Sequence, residues 1–455
     1  MKGRVYSNIA AAIGQTPMVR LNKVIAGIKA EVYAKIEYVN PGGSIKDRIA
    51  LSMIEAAEKA GKLKPGGIIV EPTSGNTGAG LAMIAAMKGY RTIFTMPDKM
   101  SHEKVRMLKG YGAEVVICPT AVPPDSPENY HRVAEKIAHE TPNAIMPDQY
   151  CNPKNPEAHY LTTGPEIWEQ TEGKIDCLVC GIGTGGTISG TGKFLKEKNP
   201  NVKIIGADPQ GSVLREYFYT KSLIQGQPYK VEGIGQDDVP ETLDYAYVDE
   251  VHTVGDKESF AMARRLAREE GMLVGGSCGS AVAVAIKVAR DLPAGKLMVV
   301  ILPDTGKYYL SKFYSDEWMK ENRFLDIENA LAKDLLASKS HVLPKLVSVP
   351  PAATVREALQ LMEHHNVSQL PIIENSQCLG SIEESALMGR VLEDTKILDL
   401  PVQKIMEASF PEVDHDDTVE HAKYLLARRY PAILVREDDH YVGIITKADL
   451  IDFIA

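Results

Sequence analysis

Between residue 30 and about residue 305, short runs of nearly unbroken apolar residues alternate with longer stretches of amphipathic pattern. The short runs are rich in Val and Ile and predict strands; the longer stretches predict helices. "GGIIVEP" (66–72) reads as a strand, and "TGAGLAMIAAMKG" (77–89) as a helix closed by Gly89. "RTIFTMP" (91–97) is a second strand, "SHEKVRMLKGYG" a helix and "AEVVICP" a third strand. Later come "IDCLVCGIG", "VKIIGADP" and "KLMVVILPD", each after a helical stretch. Strands apolar on both faces, with helices between them, predict an α/β unit whose parallel sheet is covered on both sides.

The texture changes after about residue 320. "MKENRFLDIENALAKDLLASKS" is polar and charged and has no strand pattern, which predicts a linker with some helix. The last 115 or so residues contain a repeat: "VSQLPIIENSQCLGSIEESAL" (367–387) aligns without a gap on "YPAILVREDDHYVGIITKADL" (430–450). A helix precedes each copy, led by "ATVREALQLMEHH" and "DTVEHAKYLLARR". Two copies are too few for a solenoid and predict two units that bury their apolar faces together. The expected organisation is a catalytic region at 1–320, a linker at 321–341 and a tandem repeat module at 342–455.

With 455 residues, the chain is long enough for two or three domains. A net charge of −9 argues against a dedicated nucleic-acid binder and against a basic membrane anchor. No apolar stretch is long enough to span a bilayer, and "MKGRVYSNIA" has no signal-peptide core. Six scattered cysteines suit a reducing, cytoplasmic setting. Cys177 and Cys180 form a C-x-x-C, but in a strand they point to opposite faces, so both read as buried apolar residues.

Four short segments carry candidate chemistry. In "NPGGSIKDR" (40–48), Lys46 opens a predicted helix, where the helix dipole and partial burial both favour the neutral amine. A neutral amine is a nucleophile able to form a Schiff base with a carbonyl. The competing reading is a surface lysine in a first turn capped by a Ser44–Asp47 pair. In "GIGTGGT" (181–187), Gly181, Gly183 and Gly186 match a dinucleotide fingerprint, with Asp208 as the acidic residue further on. The physical content is broader, because glycine N–H groups at a helix N-terminus bind phosphate in general. "EPTSGNTGAG" (71–80) is a second anion-binding turn, suited to a carboxylate through Thr73, Ser74, Asn76 and Thr77. "GGSCGSAVAVAIKVA" (275–289) is a third small-residue turn, with Ser277 just before the cap.

A helix-start lysine together with three anion-competent turns points to an aldehyde cofactor that carries a phosphate. In these motifs the sequence resembles the β-family (fold type II) of pyridoxal-phosphate enzymes, from "IGQTPMVRL" (13–21) to "VVILPD" (299–304). Within that family it is most similar to the cystathionine β-synthases. The motifs that carry this are "EPTSGNTG", "DSPENY" (125–130), "QYCNPKNPEAHYLTTGPEIW" (149–168), "GTGGTISG" and "VEGIG". The tail resembles the tandem regulatory (Bateman) repeats named after that enzyme.

The resemblance implies two open α/β subdomains followed by a tandem βαββα-type module, and pyridoxal 5'-phosphate as cofactor. It implies that Lys46 carries the cofactor and shuttles the α-proton, and that Asn76 bonds the ring hydroxyl. Gly183, Thr184, Gly185, Gly186 and Thr187 would bind the phosphate, and Ser277 would face the pyridine nitrogen. A hydroxyl there, in place of a carboxylate, makes the ring a weaker electron sink and favours loss of the β-substituent. Thr73, Ser74, Thr77 and Gln149 would hold the substrate carboxylate, with Tyr150 and Gly233 close by.

The implied reaction joins L-serine and L-homocysteine into L-cystathionine and water, a transsulfuration step that can also yield hydrogen sulfide. A cysteine synthase that takes an activated serine such as O-acetylserine and sulfide is the nearest alternative. An NAD-dependent dehydrogenase and a nucleotide-sensing pseudoenzyme are more distant ones. Gln236 stands where animal and yeast relatives carry a tyrosine, in a segment expected to line the second-substrate side. Asp237 and Asp238 beside it read either as a solvated loop or as carboxylates that attract an amino group.

No Cys/His haem-ligand extension precedes the catalytic region, so no haem is expected, and no metal. In the tail, Thr446 and Asp449 read as a capping box or as a ribose clamp for an adenosyl ligand such as S-adenosylmethionine. The first repeat has Glu383 and Ala386 at the matching positions. Paired repeats of this kind imply a homo-oligomer.

Overall fold

The computed structural model describes residues 5–454, apart from 74, 99, 101, 121, 124–125, 326–329, 340–345 and 428–429. The chain divides into two compact units, Met1–Met319 and Lys320–Ala455. The first unit holds two sheets. A six-stranded sheet runs in the order Met18–Arg20, Glu31–Ile36, Leu297–Leu302, Cys177–Gly181, Lys203–Pro209, Glu250–Val254. Its first pair is antiparallel and every other pair parallel. A four-stranded parallel sheet runs Glu114–Cys118, Arg91–Pro97, Ile68–Pro72, Ala144–Ile145. The two sheets are the two α/β subdomains that the family resemblance implies; the strand pattern alone does not divide them. The chain leaves the larger sheet after Ile36, builds the smaller one, and returns at Cys177.

Four helices form the cleft with their starts, three of them after strands, as in open parallel sheets generally, and the fourth after helix Asp256–Glu270. They are α1 (Lys46–Lys59), α2 (Asn76–Lys88), α3 (Gly186–Lys198) and α4 (Gly276–Ala289). α2 and α4 are buried over nearly their whole length, which explains why neither has a charged face: a helix covered on all sides is apolar nearly all round. Gly89 closes α2 in the left-handed region (φ 80°), as the sequence predicts. α4 starts at Gly276, so Ser277 lies inside its first turn, not before the cap; the small residues of "GGS" continue into the helix. Cys177 and Cys180 are free and buried, and burial pushes both thiols up to about 12.

The start of α1 is fixed by a buried ion network. The Arg48 guanidinium donates to both Glu37 oxygens (2.8 and 2.8 Å) and to both Glu166 oxygens (2.7 and 2.8 Å). Lys35 Nζ donates to Glu166 (2.7 Å), the Thr16 carbonyl (2.7 Å) and Gln170 (2.9 Å). Burial alone would raise both carboxyls. The Arg48 charge more than offsets it, leaving Glu37 below its ordinary value and Glu166 near 2. The expected Ser44–Asp47 capping box does not form: Asp47 turns back to accept the Gly42 N–H (2.6 Å), and Ser44 Oγ accepts the Lys46 N–H (3.2 Å).

The second unit carries the repeat. Hairpin Gln369–Glu374/Gln377–Glu383 matches hairpin Ala432–Glu437/His440–Thr446 at an offset of 63, and both shift register at the same place. A third strand, Glu412–Asp414, joins the second hairpin in parallel, and the isolated bridge Val349–Ile372 is its counterpart in the first. The expected linker at 321–341 carries helix, as the sequence predicts. Helix Ala332–Ser338 packs with Val419, Ala422, Ile433 and Ile445, and Leu335 is fully buried. Its apolar Leu-Leu pair supplies the contact that a polar average conceals. Among the described residues, no helix is long and apolar enough to cross a membrane.

Replacing Glu37 by Ala leaves Arg48 half-compensated in the interior. Denaturant unfolding of the first unit at neutral pH should show a loss of about 3–5 kcal/mol. The network's contribution is present above the ordinary carboxylate range and should fade as pH falls towards 2, where Glu166 becomes protonated.

Candidate active site

The helix starts of the first unit surround a cavity of about 1140 Å³. Lys46, the first residue of α1, lines it, and its side-chain amine engages no hydrogen-bond partner among the described residues. Burial lowers its amine to about 8, and the negative charge of Asp304 opposes part of that shift. An amine in this range is partly neutral near physiological pH, which a nucleophile or base requires. Asp304 sits behind the cavity wall, 1% exposed. It accepts from Asn76 Nδ2 (2.9 Å) and the Tyr309 hydroxyl (2.7 Å), and Ser277 Oγ lies 3.5 Å away. Burial keeps its carboxyl above the usual range. Asn76 and Ser277 themselves line the cavity.

The glycine loop between strand Cys177–Gly181 and α3 lies on the same cavity. Gly183, Thr184, Gly185 and Thr187 line it, and Gly186 opens the helix behind them. A Cβ at Gly183 would stand 2.6 Å from the Gly233 carbonyl, and Gly185 holds φ 86°, so the loop admits only glycine at both. A Cβ at Gly186 would fall within 1.9 Å of Asn155 Oδ1. Thr184 Oγ1 accepts from Asn155 Nδ2 (2.9 Å), and Thr187 Oγ1 lies 3.2 Å from His159 Nε2. The fingerprint's acidic residue does not complete a dinucleotide site. Asp208 is buried, accepts the Arg215 N–H (3.0 Å) and stays out of the cavity.

At the start of α2, Thr73 Oγ1 accepts the Gly78 N–H (3.1 Å), a capping bond that leaves its own hydroxyl hydrogen to donate. The Thr77 hydroxyl donates to Gln149 Oε1 (2.6 Å), so that oxygen is taken and the Gln149 amide nitrogen is free to donate. Thr73, Thr77, Gln149, Tyr150 and Gly233 all line the cavity. Ser74 lies outside the described residues. Gln236 and Asp237 also line it, whereas Asp238 does not.

Several residues of the site were not singled out from sequence. Glu71 accepts the Asp148 and Gln149 N–H groups (2.9 and 3.1 Å) and is raised to about 8 by burial. Asn155 donates to the Gln149 carbonyl (2.8 Å) as well as to Thr184. His159 is held neutral by burial. Asn155 and His159 are four apart in "QYCNPKNPEAHY", one helical turn, which is a usable signal. Glu232 is bonded by Lys104 and by Lys312, from separate elements, and nothing in the sequence announces that.

A phosphorylated aldehyde fits this arrangement. A part-neutral lysine amine with no partner among the described residues faces the same cavity as a glycine loop that leaves no room for side chains. A hydroxyl and an amide stand on the wall between them.

Residues 9–304 match the family described as pyridoxal-phosphate dependent enzyme, and 336–393 and 402–455 each match the CBS domain. The chain is 43% identical over 478 residues to cystathionine beta-synthase of Oryctolagus cuniculus, covering 99% of this chain and 85% of that protein. It is 40% identical over 467 residues to the enzyme of that name from Dictyostelium discoideum, covering 100% and 93%. Among solved structures, a hydrogen sulfide-producing enzyme from Fusobacterium nucleatum superposes with a TM-score of 0.63 at 37% identity, covering 68% of this chain and 99% of that one. O-ureido-L-serine synthase does so with a TM-score of 0.64 at 36% identity, covering 69% and 98%. The chain therefore belongs to the cystathionine β-synthase family of pyridoxal-phosphate dependent enzymes, with two CBS domains behind the catalytic unit.

Proposed function

We propose that this chain replaces the β-hydroxyl of L-serine with the thiol of L-homocysteine, giving L-cystathionine and water. The observation that carries the reading is Lys46: an amine brought towards neutrality by burial, without a hydrogen-bond partner among the described residues, in the cavity that the glycine loop also lines. The full-length match to relatives named cystathionine beta-synthase supports homocysteine over sulfide as acceptor.

When bound, pyridoxal phosphate supplies an aldehyde for an amine and a ring that withdraws electrons from the α-carbon. The chain's residues do the rest. Gly183, Thr184, Gly185, Gly186 and Thr187 would hold the phosphate, Asn76 the ring hydroxyl and Ser277 the pyridine nitrogen. Thr73, Ser74, Thr77 and Gln149 orient the serine carboxylate, with Tyr150 and Gly233 beside it. Lys46 as a free amine takes the α-proton and returns a proton to the departing hydroxyl, whose loss as hydroxide is otherwise slow. Asp304 acts through Asn76 and Ser277, fixing both from behind.

In the tail, Thr446 and Asp449 do form a capping box: Asp449 accepts the Thr446 N–H and hydroxyl (2.7 and 2.7 Å). We place an adenosyl ligand, S-adenosylmethionine by class, at this pair. Asp449 is also bonded by Lys339 (2.9 Å), which must yield to a ribose. The chain acts as a homo-oligomer.

Product analysis with L-serine or O-acetylserine as donor, and homocysteine or sulfide as acceptor, tests the reading. Cystathionine from serine and homocysteine should dominate; cysteine formed only from O-acetylserine and sulfide would replace this reading with the cysteine-synthase one. Lys46→Ala should cut turnover by a factor on the order of 10³, since general base catalysis is lost. Where proton abstraction limits the rate, turnover should rise with pH through about 8, because the base acts only when deprotonated. Titration calorimetry should show S-adenosylmethionine binding weakened about tenfold or more by Asp449→Ala, the loss of one charge-assisted hydrogen-bonding partner.

A further inference from the structure

The cavity extends past the serine carboxylate clamp, and the residues beyond it follow one another in contact. Thr77 bonds Gln149; Tyr150 is the next residue; the Gln236 side chain hydrogen-bonds the Tyr150 phenol; Asp237 follows Gln236. Asp237 is exposed to the cavity and has no hydrogen-bond partner among the described residues. The loop at Gly226 runs close beside it. A Cβ at Gly226 would lie 2.5 Å from Asp237 Oδ1, so glycine there lets the neighbouring loop close against the carboxylate. Tyr130 lines the same cavity, and its hydroxyl is raised by burial and then by the Asp237 charge. Asp238 points elsewhere and accepts the Val239 N–H (2.7 Å). The lysines Lys104 and Lys312 on the same cavity are both bonded to Glu232.

We infer that Asp237 selects the acceptor by binding the α-ammonium of an amino-acid thiol. The inference rests on the cystathionine-forming reading and names the residue that makes homocysteine preferable to sulfide. An accessible carboxylate facing the cleft, one residue beyond the Tyr150–Gln236 bond, attracts a cation on the entering nucleophile. It offers nothing to a thiol without an ammonium. Gln236 contributes the bond that sets Tyr150 against this position.

The test is steady-state kinetics of the holoenzyme with saturating L-serine and four acceptors: homocysteine, cysteamine (an ammonium, no carboxylate), 3-mercaptopropionate (the reverse) and sulfide. For Asp237→Asn, KM for homocysteine and cysteamine should rise about tenfold or more, with kcat within about twofold. KM for 3-mercaptopropionate and sulfide should not follow, and Asp238→Asn should leave all four as in wild type. Equal rises for all acceptors would overturn the inference and make Asp237 a shaping residue; so would an unchanged homocysteine KM. A wild type that rejects homocysteine, yet prefers cysteamine to 3-mercaptopropionate through Asp237, would sink the cystathionine reading and support this assignment.

Discussion

The bonds from Arg48 to Glu37 and Glu166 join the end of strand Glu31–Ile36, the first turn of helix Lys46–Lys59 and the helix Gly164–Gln170. Lys46 lies two residues before Arg48, so its placement inherits the rigidity of that junction. The energetic logic favours this arrangement at a site. A buried ion pair adds little net stability over a well-packed apolar core, but losing one partner is severe, so the geometry has few low-energy alternatives. Lys35 and Thr16 complete the shell, leaving no oxygen of Glu37 or Glu166 without a donor. A lysine that must stay near neutral cannot be steered by its own hydrogen bonds; it is steered by its neighbours in sequence.

The same division between support and function recurs around the cleft. Glu71 holds the backbone of Asp148 and Gln149, and Asn155 ties that loop to Thr184 on the glycine loop. Asp304 stands behind Asn76 and Ser277. Each supporting group is buried and hydrogen-bonded, and each group facing the cavity is left with a donor or lone pair to spare. The polar atoms of the wall are thereby oriented before anything binds, which is where the affinity and rate of such sites come from.

Much of this was legible in the residues. The strand–turn–helix pattern located α2 and α3, because apolar runs and glycines signal locally what the backbone does. The repeat offset of 63 located both hairpins, down to the shared register shift. What escaped was long-range. Strand order within each sheet is one case, since strand patterns do not encode pairing; the two subdomains themselves were legible only through the family resemblance. The Ser44–Asp47 cap failed because Gly42 offered Asp47 a nearer N–H through a turn that spacing cannot foresee. Some helix was expected in the linker, but the packing of Leu335 and Leu336 of helix Ala332–Ser338 into the second unit's core was not, because charged residues surround them. Asp304 and Glu232 have no local signature at all, since their partners come from distant segments.

The central claim is that Lys46 holds pyridoxal phosphate in this cavity and that serine displaces it. The visible absorption spectrum of the purified protein, recorded before and after L-serine and then after L-homocysteine, tests it most directly. The account predicts a band from the lysine-bound cofactor, its replacement by a new band on serine, and its return on homocysteine. A protein that shows no such band even after incubation with pyridoxal phosphate would contradict the account at its root.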